Sequence, residues 1–281
     1  MSAHAVYIVL FAALLNASWN AIVKRSSGDT LLTTIMITSA AGAIAALALP
    51  FLPQPAPASW SFIGVSVLLQ TLYYALLVAA YRRGDMSHVY PIMRGTAPLI
   101  VAALSAALIG EAVAIARWLG IGLICGGVLG LALHRPAQST PHRAATAFAL
   151  GNACVIAGYT MIDGLGVRRS GAPAAYALWI FLLSGIGLLL WVSLWRRRQF
   201  AAQLRGRWPL GLAGGAATVV SYTLALWAMT VAPVALVAAL RETSIVFATL
   251  ISALLLKERI TPQRLACTGL IIAGAVALRL A

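Results

Sequence analysis

Arg94, Arg241 and Glu242 are ionisable residues set deep inside long apolar runs. A guanidinium stays charged and presents a planar fork of donors that suits a carboxylate or phosphate. A carboxylate in such surroundings can hold an ammonium, neutralise a guanidinium, or take up and release a proton. The chemistry within reach is thus the binding and movement of a small charged solute. The residues for bond-breaking chemistry are missing from the sequence: it has no phosphate-cradling glycine loop, no His/Cys metal cluster and no Ser-His-Asp arrangement at workable spacing. No enzyme activity, cofactor or metal is expected.

Arg94 and Arg241 each lie about eight residues into an apolar run, which is ~12 Å deep at 1.5 Å per residue. A charge there costs at least ~2.5–3.5 kcal/mol unless it faces a wet cavity or a partner. Two readings stand side by side: an anion-binding or gating arginine, or an arginine that bonds carbonyls freed at a broken helix. Pro91 and Pro98 flank Arg94 and would free such carbonyls. Glu242 follows Arg241 directly, so on a helix the two side chains project about 100° apart and do not face one point. If transport is proton-coupled, Glu242 is the first carrier to consider and Asp163, nearer the end of its run, the second. Neutralisation of one of the arginines is the alternative role for Glu242.

Other polar residues recur within the runs. Trp19, Asn20, Tyr73, Tyr159 and Tyr222 suit a pocket for a small amphipathic molecule. His88 and Tyr90 sit at the mouth of the run that contains Arg94, as gate residues or as ordinary interfacial ones. Trp60, Trp195 and Trp208 fit a membrane-interface belt. Glu111 and Glu258 begin the turns into two later runs, where the helix dipole favours an acid, and are read as structural.

These residues must be positioned by membrane-spanning helices. Of 281 residues, 62% are hydrophobic and 9% charged, with a mean hydropathy of +0.93; a soluble domain needs about a quarter charged residues to cover its surface. Breakers divide the chain into ten runs of spanning length, at about 4–24, 30–52, 59–82, 86–108, 113–134, 143–167, 173–195, 207–229, 233–255 and 261–280. Thr261-Pro262 resembles an N-cap with proline at the first helical position. The net charge of +14 comes from short basic clusters between runs, which fits loops near anionic lipid rather than nucleic acid. Loops after odd-numbered runs carry fourteen basic residues and those on the other side four. The first set is therefore expected to be cytoplasmic and both termini outside. Cys125, Cys154 and Cys267 all lie within apolar runs and suggest no disulfide framework.

The chain also repeats itself. An offset of 147 aligns Arg94–Leu131 with Arg241–Leu278 without a gap, and twelve of those 38 pairs are identical, Arg94/Arg241, Glu111/Glu258 and Gly127/Gly274 among them. The chain thus divides into residues 1–134, a linker at 135–142, and 143–281. A unit of five spans is odd, so two tandem copies insert with opposite orientations, the architecture of secondary transporters. Gly122, Gly126 and Gly130 form a small-residue ladder on the fifth run that the offset carries to Gly269 on the tenth, and these two runs are expected to pack together along it.

Gly84–Pro98 (G-D-M-S-H-V-Y-P-I-M-R-G-T-A-P), the Glu111 corner, Ala239–Arg259 (A-L-R-E-T-S…L-L-K-E-R) and Leu15–Lys24 resemble the ten-helix, EamA-like branch of the drug/metabolite transporter superfamily. The resemblance covers nearly the whole chain. It implies spans 1–4 and 6–9 around a central cavity, with spans 5 and 10 to one side, and it makes Glu242 a subgroup feature. The expected protein is thus an all-α membrane protein of ten transmembrane helices, built as two inverted five-helix repeats. Its expected work is alternating-access transport of a small amphipathic or zwitterionic metabolite, amino-acid-like and exported. Uptake of a small carboxylate, phosphate or phosphonate and a non-transport scaffold or lipid-handling role are the alternatives. The setting is a bacterial inner membrane, and the expected partners are the bilayer and a small-molecule substrate. A monomer or weak homodimer is expected.

Overall fold

In lipid every backbone donor and acceptor must be satisfied within the protein, which leaves long apolar runs little choice but the helix. A computed structural model describes residues 1–25, 30–111, 114–132, 143–254 and 260–280. Among the described residues there are no strands, and ten helical stretches are long and apolar enough to cross a membrane. In chain order the helices are α1 (Ala3–Arg25), α2 (Thr30–Ala48), α3 (Trp60–Tyr81), α4 (Met86–Leu104) and α5 (Ile115–Ala132) in the first half. The second half holds α6 (Arg143–Ser170), α7 (Pro173–Trp195), α8 (Arg197–Val231), α9 (Val234–Arg241), α10 (Ser244–Leu254) and α11 (Pro262–Leu280). The linker at 135–142 and Glu258 lie outside the described residues.

Local sequence sets the helix ends. α6 stops where Gly171 adopts φ +64°, a left-handed conformation that suits glycine, and Pro173 opens α7 two residues later. The Thr261 hydroxyl accepts the Arg264 amide at 3.3 Å with Pro262 at the first helical position, the capping read from the sequence. Two boundaries differ from expectation. α8 begins at Arg197, and its non-helical residue Arg207 (φ −137°) separates a short basic helix from the span proper. The ninth span is two helices, α9 and α10, separated by a turn at Glu242–Thr243.

The halves interlock. α3 packs on α6 as α8 packs on α1, α4 on α6 as α10 on α1, and α2 on α7, so exchanging the two halves largely preserves the pairings. α9 lies at the centre, with Val234–Leu240 all buried. α5 and α11 form the most extensive pair, and α11 otherwise touches chiefly α10. The expected helix pair is thus present, but it meets on a different face from the ladder. Gly122, Gly126 and Gly269 have open space where a side chain would project, and of the predicted four only Gly130 approaches the partner, at Cys267. The close approach is made by Gly120, Gly127 and Gly274. A Cβ on Gly127 would stand 2.7 Å from the Cys267 carbonyl oxygen, and one on Gly274 2.7 Å from that of Gly120. The offset of 147 maps the first contact onto the second. The physical reason is helical phase: residues seven apart, as 120 and 127, return to one face, while 122 lies about 200° away.

Candidate functional site

α9 ends at Arg241 because the backbone tightens there. The amides of Glu242 and Thr243 bond the carbonyls of Ala239 and Leu240 at 3.0 and 3.1 Å, an i→i+3 pattern, and the Thr243 hydroxyl donates to the Leu240 carbonyl at 2.7 Å. The turn alters the argument that adjacent residues diverge: Arg241 and Glu242 line one cleft. The break expected beside the prolines of α4 is absent, since α4 is continuous through Pro91 and Pro98.

Glu242 is 4% exposed and bonded in parallel by Arg94, from Nε to Oε2 at 3.1 Å and from Nη2 to Oε1 at 2.9 Å. This two-point pair crosses from one half of the chain to the other. The repeat position of Glu242 is Gly95, where a Cβ would meet Leu129 at 2.8 Å and the Cys125 carbonyl oxygen at 3.2 Å. α4 has no room for a side chain there. The cleft beside the pair is narrow, about 20 Å³, room for roughly one water and far below the ~300–1,000 Å³ usual for an open small-molecule site. Tyr159 and Thr160 of α6 and Ala238 of α9 also line it, with an apolar wall from Ala97, Pro98 and Val101 of α4.

Arg241 stands over the Tyr222 ring, 5.2 Å from its centroid. Among the described residues no carboxylate pairs with it. The Tyr222 hydroxyl in turn donates to Asp163. Asp163 is fully buried and also accepts the Tyr176 hydroxyl at 3.1 Å. The Ser66 hydroxyl lies near the same carboxyl group, and Gln70 donates to the Ser66 oxygen at 3.1 Å. Two half-buried cations and two buried anions are therefore set together, one pair in contact and the other separated by a tyrosine.

A second ion pair ties helix ends together. Arg168, near the end of α6, donates from Nη2 to Glu111 at 2.7 Å and to the Ala232 carbonyl at 2.9 Å, and from Nε to the Met229 carbonyl at 2.7 Å. Glu111 also accepts the Ser105 hydroxyl and, at 3.2 Å, the Val234 amide. The carboxylate thus serves the N-terminus of α9, not that of α5 as expected, and it joins the ends of α4, α6, α8 and α9. His88 makes a smaller link elsewhere, with Nδ1 3.3 Å from the Ala132 carbonyl oxygen and Nε2 3.2 Å from the Thr146 hydroxyl.

The remaining expected residues fall outside the cleft lining. Asn20 donates to the Asn16 carbonyl of its own helix at 2.6 Å, and the buried Trp19 indole nitrogen has no partner among the described residues. Tyr90 packs against the cluster that contains Val89 and Met93. Tyr73 reaches the cleft indirectly, edge-on to Tyr159 at 6.2 Å. Trp60, Trp195 and Trp208 are exposed, as a belt requires. Sequence reasoning missed Tyr176, Ser66, Thr160 and the clasp role of Arg168. Thr160 and Asp163 are three residues apart and so share a helix face, the one signal that pointed to them.

Comparison with known proteins is consistent with this geometry. A sequence profile described as the EamA-like transporter family matches the chain twice, over residues 4–133 and 144–280, one match in each half. One solved structure, described as "Crystal structure of protein", aligns over 99% of this chain and 98% of its own, with a TM-score of 0.78 and 20% identity. That likeness establishes the shared fold. No curated protein matches the sequence.

Proposed function

We propose that this chain, which belongs to the EamA-like transporter family and is therefore a multi-pass membrane transporter, exports a small zwitterionic, amino-acid-like metabolite by alternating access. The observation that carries the reading is the cleft that brings Arg241, Glu242 and Arg94 together across the two halves. A solute carboxylate suits Arg241, which, unlike Arg94, has no carboxylate in contact among the described residues. Its ammonium suits the Glu242 oxygens, which share their charge with Arg94. Uptake of a small anion gripped by both arginines would require Glu242 to release Arg94, and a buried anion left without its cation costs roughly 3–5 kcal/mol.

Alternating access is supported by the repeat and by the clasp. Five spans per unit give opposed orientations, and the Glu111–Arg168 pair closes four helix ends at one face. The loop charges place that face outside, with both termini. The test is counterflow in proteoliposomes with ¹⁴C-labelled neutral L-amino acids, compared with labelled dicarboxylates and a phosphonate. Exchange of the amino acids, lost in Arg241→Ala, is the expected result, and inverted and right-side-out vesicles then give the direction. Equal exchange by the wild type and Arg241→Ala would remove the binding role.

A further inference from the structure

We propose that Asp163 is the proton-binding site of the transport cycle and that Tyr222 ties its occupancy to the solute bound at Arg241; the proposal rests on the solute site above. The hydrogen-bond partners of the Asp163 carboxyl group are the hydroxyls of Tyr176 and Tyr222, with that of Ser66 nearby. A hydroxyl donates to a carboxylate and, after one torsional turn, accepts from a carboxylic acid. Both protonation states of Asp163 are therefore satisfied without moving a helix. Glu242 is the opposite case, because Arg94 can only donate to it, so a proton on Glu242 would compete for one of the two bonded oxygens and cancel the charge that holds the pair.

Every element packed around this part of α6 is consistent with that assignment. α3 contributes Ser66 and, further along, Tyr73, which meets Tyr159. α4 contributes Arg94, held by Glu242. α7 contributes Tyr176 and α8 Tyr222. α9 contributes Arg241, which acts on Asp163 through space across the Tyr222 ring. On α6 itself Tyr159 lies a turn away, and Arg168 is committed to Glu111.

The coupling has a definite sign. When a solute carboxylate binds Arg241 it cancels the cation nearest Asp163, so the neutral acid is favoured; by reciprocity a proton on Asp163 favours the anion on Arg241. One O–H bond forms on Asp163, with the proton drawn from water in the cleft, and it breaks when the cleft faces the other side. Proton and solute thus travel together. Export carries a proton out with each molecule, and an inward proton gradient opposes it.

The test uses proteoliposomes with trapped pyranine, the membrane potential clamped with potassium and valinomycin, and a mixture of ¹⁴C-labelled neutral L-amino acids. A solute gradient should move protons in the solute's own direction. Asp163→Asn should lower the ratio of protons to solute at least tenfold. Tyr222→Phe keeps the acid and removes only the hydroxyl, and should lower the ratio at least twofold, which decides the matter if the first variant does not fold. Net solute flux down its gradient at equal pH without proton movement in the wild type would refute the proton site while leaving transport intact. An unchanged ratio in either variant would refute the assignment, and absence of counterflow would remove the solute site and this proposal with it.

Discussion

Glu242→Gln removes the one anion that contacts Arg94 among the described residues, at 2.9 and 3.1 Å. Two unit charges ~3 Å apart attract by about 5 kcal/mol at an effective dielectric constant of ~20. Much of that attraction offsets the cost of burying them, so a neutral pair loses little, whereas a single charge left behind costs about 3–5 kcal/mol. The two single variants should also differ. In Arg94→Gln, Glu242 keeps Arg241 as an electrostatic neighbour. In Glu242→Gln, two guanidiniums face the cleft with no contacting anion. The expected order is therefore Glu242→Gln least stable, Arg94→Gln intermediate, and the double variant within about 1 kcal/mol of wild type. The assay is thermal unfolding in detergent followed by tryptophan fluorescence, where each kcal/mol is worth roughly 2–4 °C. Glu242→Gln should fall by about 6–20 °C, and adding Arg94→Gln should restore most of the loss. Additive losses in the double variant, or a Glu242→Gln shift under 1 °C, would refute the pairing argument.

Three further outcomes are expected. Gly127→Ala and Gly274→Ala set a methyl against backbone that cannot yield and should each cost about 1–3 kcal/mol, while Gly122→Ala and Gly269→Ala, which meet open space, should stay within about 0.5 kcal/mol in the same unfolding assay. Releasing the clasp with Glu111→Gln should raise the labelling rate of a cysteine placed at Thr160, in a background without native cysteines, by an impermeant maleimide added at the clasp face; an unchanged rate would show that the pair does not close that face. A fluorescent reporter at the C-terminus should be dark in the cytoplasm and a periplasm-active enzyme there should work, the reverse result overturning the orientation read from loop charge.

The spans were legible because hydropathy registers them directly, and the Thr261–Pro262 cap because its chemistry is local. The offset of 147 aligned Gly127 with Gly274, two of the seam residues, although the ladder chosen for packing was another. Glycine spacing reports a stripe, and the stripe that meets a neighbour depends on helix phase in three dimensions. The turn at Glu242–Thr243 was not legible: it contains neither proline nor glycine, and the i→i+3 bonds that make it come from tertiary context. The Arg94–Glu242 pair spans 148 residues and joins unlike positions of the repeat. Internal similarity therefore could not propose it. Asp163 looked marginal by its place in the chain, yet α6 runs on to Ser170 and puts it in full burial.

The tight fit of Gly95 against α5 bears on how the two halves came to differ. From equivalent starting copies, an acid could arise in the second half where the helix unwinds, but not in the first, where Cys125 and Leu129 fill the space. Once Glu242 had engaged Arg94, neither could be lost alone without stranding a charge. A pair of this kind works as a ratchet: point substitutions lead readily into the unequal arrangement and only with difficulty out of it, so any likeness between the two halves is hardest to restore at Arg94 and Glu242.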